Sequence, residues 1–109
     1  MREPYHSRDL KKFGAIADWE PDLARKFFDY YGAVFEEGAL TSREKCLIAL
    51  SVAHAIQSPD LTTAYMEDCF QAGADENQLM EAIHIASSVK SGSSLAMAAR
   101  AMRQSGDSF

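Results

Sequence analysis

Apolar positions recur every three or four residues along most of the chain, and no segment shows the strict two-residue alternation of a half-buried strand. The pattern predicts helices separated by short punctuation. Leu10, Phe13 and Ile16 outline a first helix with Ser7 as its cap. Pro21 suits the first turn of a second helix, where its missing N–H removes no hydrogen bond. That helix carries Leu23, Phe27, Tyr30 and Val34 at spacings of four, three and four, and Gly38 is placed to end it.

Thr41-Ser42-Arg43-Glu44 reads as a capping box, with Thr41 accepting from the backbone and Glu44 reaching back. The helix it starts, CLIALSVAHAI, is apolar on all sides. Such a helix is expected to be buried all round, by its own domain or by a partner chain. Ser58-Pro59 reads as an N-cap and first-turn proline for a helix running to Ala72-Gly73. Asp75 to Gln78 forms a second capping box, leading into Leu79, Ile83, Ala86 and Val89. Lys90-Ser91-Gly92-Ser93 is expected to break the pattern before a last helix, SLAMAARAMRQ, rich in Ala and Met. The expectation is therefore an all-α single domain over 1–109, with flexible ends at 1–6 and 104–109.

Composition narrows the function classes. With 47% apolar and 25% charged residues, the 109-residue chain has ordinary globular composition. Its net charge of −5, with no dense Lys/Arg cluster, argues against nucleic-acid or anionic-membrane partners. No apolar run approaches the roughly 20 residues a bilayer requires. The first residues lack the apolar core of a signal peptide, and Cys46 and Cys69 have no CxxC spacing. A reduced cytoplasmic protein is the expectation. His6, His54 and His84 are scattered, so no metal site and no cofactor are expected. The aromatic run FFDYY (27–31) and Met80, Met97 and Met102 read as packing surfaces.

Ser51, His54 and Ser58 follow one another at spacings of three and four and share one face of the central helix. A histidine flanked by hydroxyls has the reference pKa of a general base, near 6.5. The plainer reading is a core or interface histidine bonded to a neighbour. No Gly-x-Ser-x-Gly elbow surrounds Ser58, so a serine-nucleophile site is disfavoured.

From about Pro21 to Arg103, some three quarters of the chain resembles the carboxymuconolactone decarboxylase and alkylhydroperoxidase (AhpD-like) family. The segments that carry the likeness are KFFDYYGAVFEEGALTSREKCLIALSVAHAIQ and YMEDCFQAGADENQLMEAIHIASSV. They look closest to the peroxidase-like branch associated with arsenosugar biosynthesis. The resemblance implies a helical subunit with a central antiparallel hairpin, assembled as a trimer or a trimer of dimers. It also implies peroxide chemistry by a CxxC pair at the start of the second hairpin helix, one thiolate attacking and the other resolving.

Position by position, the first family cysteine falls on Ser58 and the second on Leu61. The family histidine falls on Tyr65, and the acidic residue twelve positions before the first cysteine falls on Cys46. Glu44 lies two residues earlier, about 160° away around the helix, and is no substitute. Serine cannot replace a thiolate at neutral pH, and leucine supplies no resolving group.

Three readings follow: an oligomeric helical scaffold without CxxC chemistry; a cysteine-independent acid–base enzyme of the lactone-decarboxylating kind, using His54 and Tyr65 with Ser58; and an engineered or diverged assembly component, whose SSLAMAARAM helix would meet a second chain. A relocated redox pair of Cys46 and Cys69 is a residual alternative.

Overall fold

A computed structural model describes residues 7–106, and among them there are helices and no strands. The expected flexibility of residues 1–6 and 107–109 lies outside the described residues. Five helices follow in order: α1 (Ser7–Trp19), α2 (Pro21–Phe35), α3 (Ser42–Ala55), α4 (Pro59–Gln71) and α5 (Glu76–Gln104). α3 and α4 pack on each other, α5 packs on α3, and α1 packs on α2. The core lies where α3, α4 and the start of α5 meet, around Leu50, Ala53, Tyr65, Cys69, Ala74 and Leu79.

The expected starts at Pro21, Thr41, Ser58 and Asp75 are found. Thr41 and Glu44 form a reciprocal capping box, with the Glu44 amide 3.1 Å from Thr41 Oγ1 and the Thr41 amide 2.8 Å from Glu44 Oε1. The bond from the Thr41 amide, and secondarily the Thr41 side chain, hold the Glu44 carboxyl below its usual range. Asp75 and Gln78 repeat the device at the start of α5.

α3 and α4 both end in a Schellman motif. After α4, the Gly73 amide reaches the Phe70 carbonyl and the Ala74 amide the Cys69 carbonyl, with Gly73 at φ +95°. After α3, the Gln57 amide reaches His54 and the Ser58 amide Ala53, but here the left-handed position, φ +60°, is held by glutamine. A side chain in that region is disfavoured by about 1 kcal/mol. Gln57→Gly is therefore expected to raise the unfolding free energy by up to about 1 kcal/mol in urea titrations.

Four expectations change. α2 ends at Phe35 rather than at Gly38, because Lys45 Nζ reaches back from α3 to donate to the carbonyls of Val34, at 2.7 Å, and Glu36. The inward face of α2 is Ala24, Phe28, Tyr31 and Phe35, one position on from Leu23, Tyr30 and Val34, which are exposed. Rings decide this. Phe13, Phe27, Tyr31 and Phe35 form a chain of edge-on and tilted contacts that ends in Phe35 stacked on Tyr65 at 6.2 Å. Thirdly, α3 is buried on one face only, and Ile48, Val52 and Ile56 point outward from the subunit.

The fourth change concerns Lys90–Ser93, which do not interrupt α5. Gly92 lowers helix preference by only about 1 kcal/mol, and neither that residue nor the serines beside it remove a backbone donor. From Lys90 onward the helix leaves the body with its side chains exposed, so Met97 and Met102, like Met80 earlier in α5, fill no gap within the subunit. Gln104, expected in a frayed tail, still belongs to the helix, and Ser105 caps it. The chain extends 68 Å along its longest axis, with a radius of gyration of 18.2 Å. A compact domain of this length is nearer about 13 Å.

Candidate functional site

The polar residues of the α3 stripe find separate partners. Ser51 Oγ donates to the Ala82 carbonyl at 2.9 Å, which ties α3 to α5. His54 Nε2 lies 3.4 Å from Ser87 Oγ, also on α5. Ser58 Oγ accepts from the Leu61 amide at 3.3 Å, as the N-cap of α4. Tyr65, one turn further on, is buried and bonds Tyr31 hydroxyl to hydroxyl. The hydrogen bonds of His54, Ser58 and Tyr65 thus run to different groups. Leu61 is half-buried and packs against the core.

What the structure gathers instead is a cluster around Tyr65. Lys12 Nζ from α1 lies 2.8 Å from Asp68 Oδ2 and 5.1 Å from the centre of the Tyr65 ring. The two side chains of that ion pair are only 2% and 11% exposed. Beside them opens a cleft of about 700 Å3, whose walls include Asp9, Lys12, Tyr31, Phe35, Cys46 and Asp68. Among the described residues no group of His, Cys, Asp or Glu side chains is placed to hold a metal ion.

Electrostatics fixes the protonation of this cluster. Burial holds the Tyr31 phenol well above its ordinary range, and its hydrogen bond to Tyr65 and the nearby negative charges raise it further. Burial also raises Tyr65, while the bond from Tyr31 pulls it part of the way back. Both phenols are therefore proton donors at neutral pH. Cys69 is pushed by burial from its ordinary 9.0 to about 12, with the charges of Cys46 and Asp68 adding to the effect.

A proton held more tightly by the folded state makes stability fall with pH, from the unfolded-state value upward. The contribution of Cys69 to stability is thus expected to be fully present below about pH 9 and to be lost as pH rises towards 12. Chemical denaturation of wild type and Cys69→Ala across that window checks it, and the variant should show a shallower decline.

Lys12, Tyr31 and Asp68 were not marked by the sequence pattern as site residues. One signal for Asp68 was present: a carboxylate one turn after Tyr65, on the inward face of α4. Nothing local marks Lys12, whose partner lies three helices away.

Residues 21–104 match the carboxymuconolactone decarboxylase family. A curated relative, "Uncharacterized protein 4 in cox locus" of Paracoccus denitrificans, is 39% identical over 69 residues, which cover 63% of this chain and 62% of that protein. The crystal structure of a structural-genomics target from Methanobacterium thermoautotrophicum superimposes with a TM-score of 0.74 at 32% identity, over 78% of this chain and 96% of that one. α1, which supplies Lys12 and Asp9 to the cleft, precedes the matched region.

Proposed function

The chain belongs to the carboxymuconolactone decarboxylase family, and on that premise we propose that it is an assembly-forming helical subunit of the peroxidase lineage, without CxxC chemistry. α3 and α4 form its central antiparallel hairpin, and the assembly is a homo-oligomer, a trimer or a trimer of dimers. The observation that carries this reading is the second half of α5. Lys90–Gln104 stands away from the body with Leu95 and Met97 exposed at 71% and 70%. A helical segment that buries none of its own side chains draws little stability from tertiary packing, and a packing partner would supply it. The outward apolar residues Ile48, Val52 and Ile56 of α3 offer such a surface on a second copy. A Cβ added at Gly92 would meet nothing within 4 Å inside the subunit, which leaves room there for close approach by another helix. Light scattering on the purified chain should give the mass of a closed oligomer, and a monomer mass at tens of micromolar would reject the reading.

Within this subunit Ser58 serves the hairpin as a cap. Ser58→Ala is expected to lower stability by about 1 kcal/mol. Any peroxide consumption, with dithiothreitol as reductant, should be the same in the variant and in wild type. A rate that depends on Ser58 would mean that the residue does more than close the turn.

Acid–base chemistry at Tyr65 is a second reading, favoured by the protonated Tyr31–Tyr65 pair beside the cleft. In that reading a proton passes from the Tyr31–Tyr65 pair to a substrate oxygen, and His54, bonded to Ser87 on α5, takes no part.

A further inference from the structure

We propose that Cys46 and Cys69 form a thiol pair across the α3–α4 hairpin, which a hydroperoxide entering the cleft oxidises to an intramolecular disulfide. This goes beyond the assembly reading and does not depend on it. Only Ile56–Ser58 separate α3 from α4, and the two helices pack together, so they run in opposite directions. Cys46 lies eleven residues before Gln57 and Cys69 twelve after it, so the two stand at the same level of the hairpin. Along α3, Cys46, Leu50 and Ala53 make one stripe, and along α4, Leu61, Tyr65 and Cys69 make the facing one. Leu50, Tyr65 and Cys69 belong to one buried cluster, and Cys46 packs against it.

Helices packed at about 8–10 Å, with Cα atoms on cylinders of about 2.3 Å radius, bring directly facing Cα atoms to about 3.4–5.4 Å. That overlaps the disulfide range of about 4.4–6.8 Å. The influence of a Cys46 charge on the Cys69 thiol agrees with this proximity. Both cysteines are reduced in the structure.

Exposure sets the order of events. Cys46 forms part of the cleft wall, whereas Cys69 is fully enclosed. The Cys46 thiolate attacks the terminal peroxide oxygen, the O–O bond breaks, and an alcohol leaves with a proton from solvent, so that Cys46 becomes a sulfenic acid. The Cys69 thiol, held protonated by burial, then loses its proton to the sulfenic oxygen as its sulfur attacks Cys46 Sγ. The S–S bond forms, the S–O bond breaks, and the oxygen departs as water with the Cys69 proton. The two thiols together supply the two electrons that reduce the peroxide.

The test treats the reduced full chain with hydrogen peroxide, alkylates it with N-ethylmaleimide in denaturant, and reads intact mass and peptide maps. Both thiols should become unalkylatable together, with the mass lower by two hydrogens, a Cys46–Cys69 linked peptide, and full reversal by dithiothreitol. Cys69→Ser should trap Cys46 as a sulfenic acid that dimedone captures, and Cys46→Ser should leave Cys69 alkylatable at the same peroxide dose. Two free thiols after peroxide, Cys46 overoxidised while Cys69 stays reduced, or a disulfide joining separate copies would each overturn the proposal. The wild-type arm needs no variant to fold. Assembly mass, measured on the same sample, reports on the oligomer independently.

Discussion

Asp68→Ala is expected to lower the unfolding free energy by about 3–5 kcal/mol, the largest effect of any single substitution considered for this chain. The reason is the charge it leaves behind. Lys12 is 2% exposed, and its ammonium lies 2.8 Å from the Asp68 carboxylate. Deleting the carboxylate removes the ion-pair partner at 2.8 Å from an ammonium that also lies over the Tyr65 ring. A small domain has about 5–15 kcal/mol in total, so the variant should sit near the edge of folding at 37 °C.

The cost comes from breaking the pair and not from its absence. Lys12→Met combined with Asp68→Leu should therefore recover most of the loss, since apolar replacement of a buried pair is often neutral or better. Urea denaturation of the two single variants and the double variant measures the coupling directly. Loss of the pair should also loosen α1 against α4, where the exposed Lys11–Glu67 pair at 3.5 Å remains. Equal stability of Asp68→Ala and wild type would mean that water reaches the Lys12–Asp68 site.

The second large effect concerns association. Leu95→Glu places a charge on the projecting half of α5, at a residue 71% exposed within the subunit. In a free subunit such a change is worth less than about 0.5 kcal/mol. At the centre of a subunit interface, losing an apolar anchor and burying an unpaired carboxylate removes on the order of 2–4 kcal/mol per contact. The variant should sediment as a monomer at concentrations where wild type is assembled, with helix content falling in the segment Lys90–Gln104. Unchanged sedimentation would remove α5 from the interface.

Helix starts were the most legible part of the sequence, because a capping box is a four-residue signal that needs no tertiary information. Thr41–Glu44, Ser58-Pro59 and Asp75–Gln78 all lie where the pattern puts them. Ends and faces were less legible. The end of α2 depends on Lys45 reaching back from the next helix, and its inward face depends on rings brought in by Phe13 and Tyr65. The serines and glycine at 91–94 resemble a break, yet each carries only a small helix penalty, and no local feature shows that α5 continues.

The candidate site divides in the same way. His54 and Tyr65 stand out because a histidine or a tyrosine on an apolar helix is conspicuous in one dimension. Of the residues gathered around Tyr65, Asp68 is its neighbour one turn on in α4, whereas Lys12 and Tyr31 come from α1 and α2 and reach it only through folding. The polar spacing of Ser51, His54 and Ser58 is present as expected, but the first two turn towards α5 while Ser58 closes the next helix.

Amide hydrogen exchange across Lys90–Gln104, followed as the chain is diluted, most directly tests whether this helix exists for the sake of other copies. Exchange should be slow in the concentrated wild-type protein. That protection should disappear on dilution and in Leu95→Glu, while amides around Leu50 and Cys69 stay protected throughout. Exchange as fast as an unstructured peptide at every concentration, or protection that ignores dilution in a demonstrated monomer, would contradict that role.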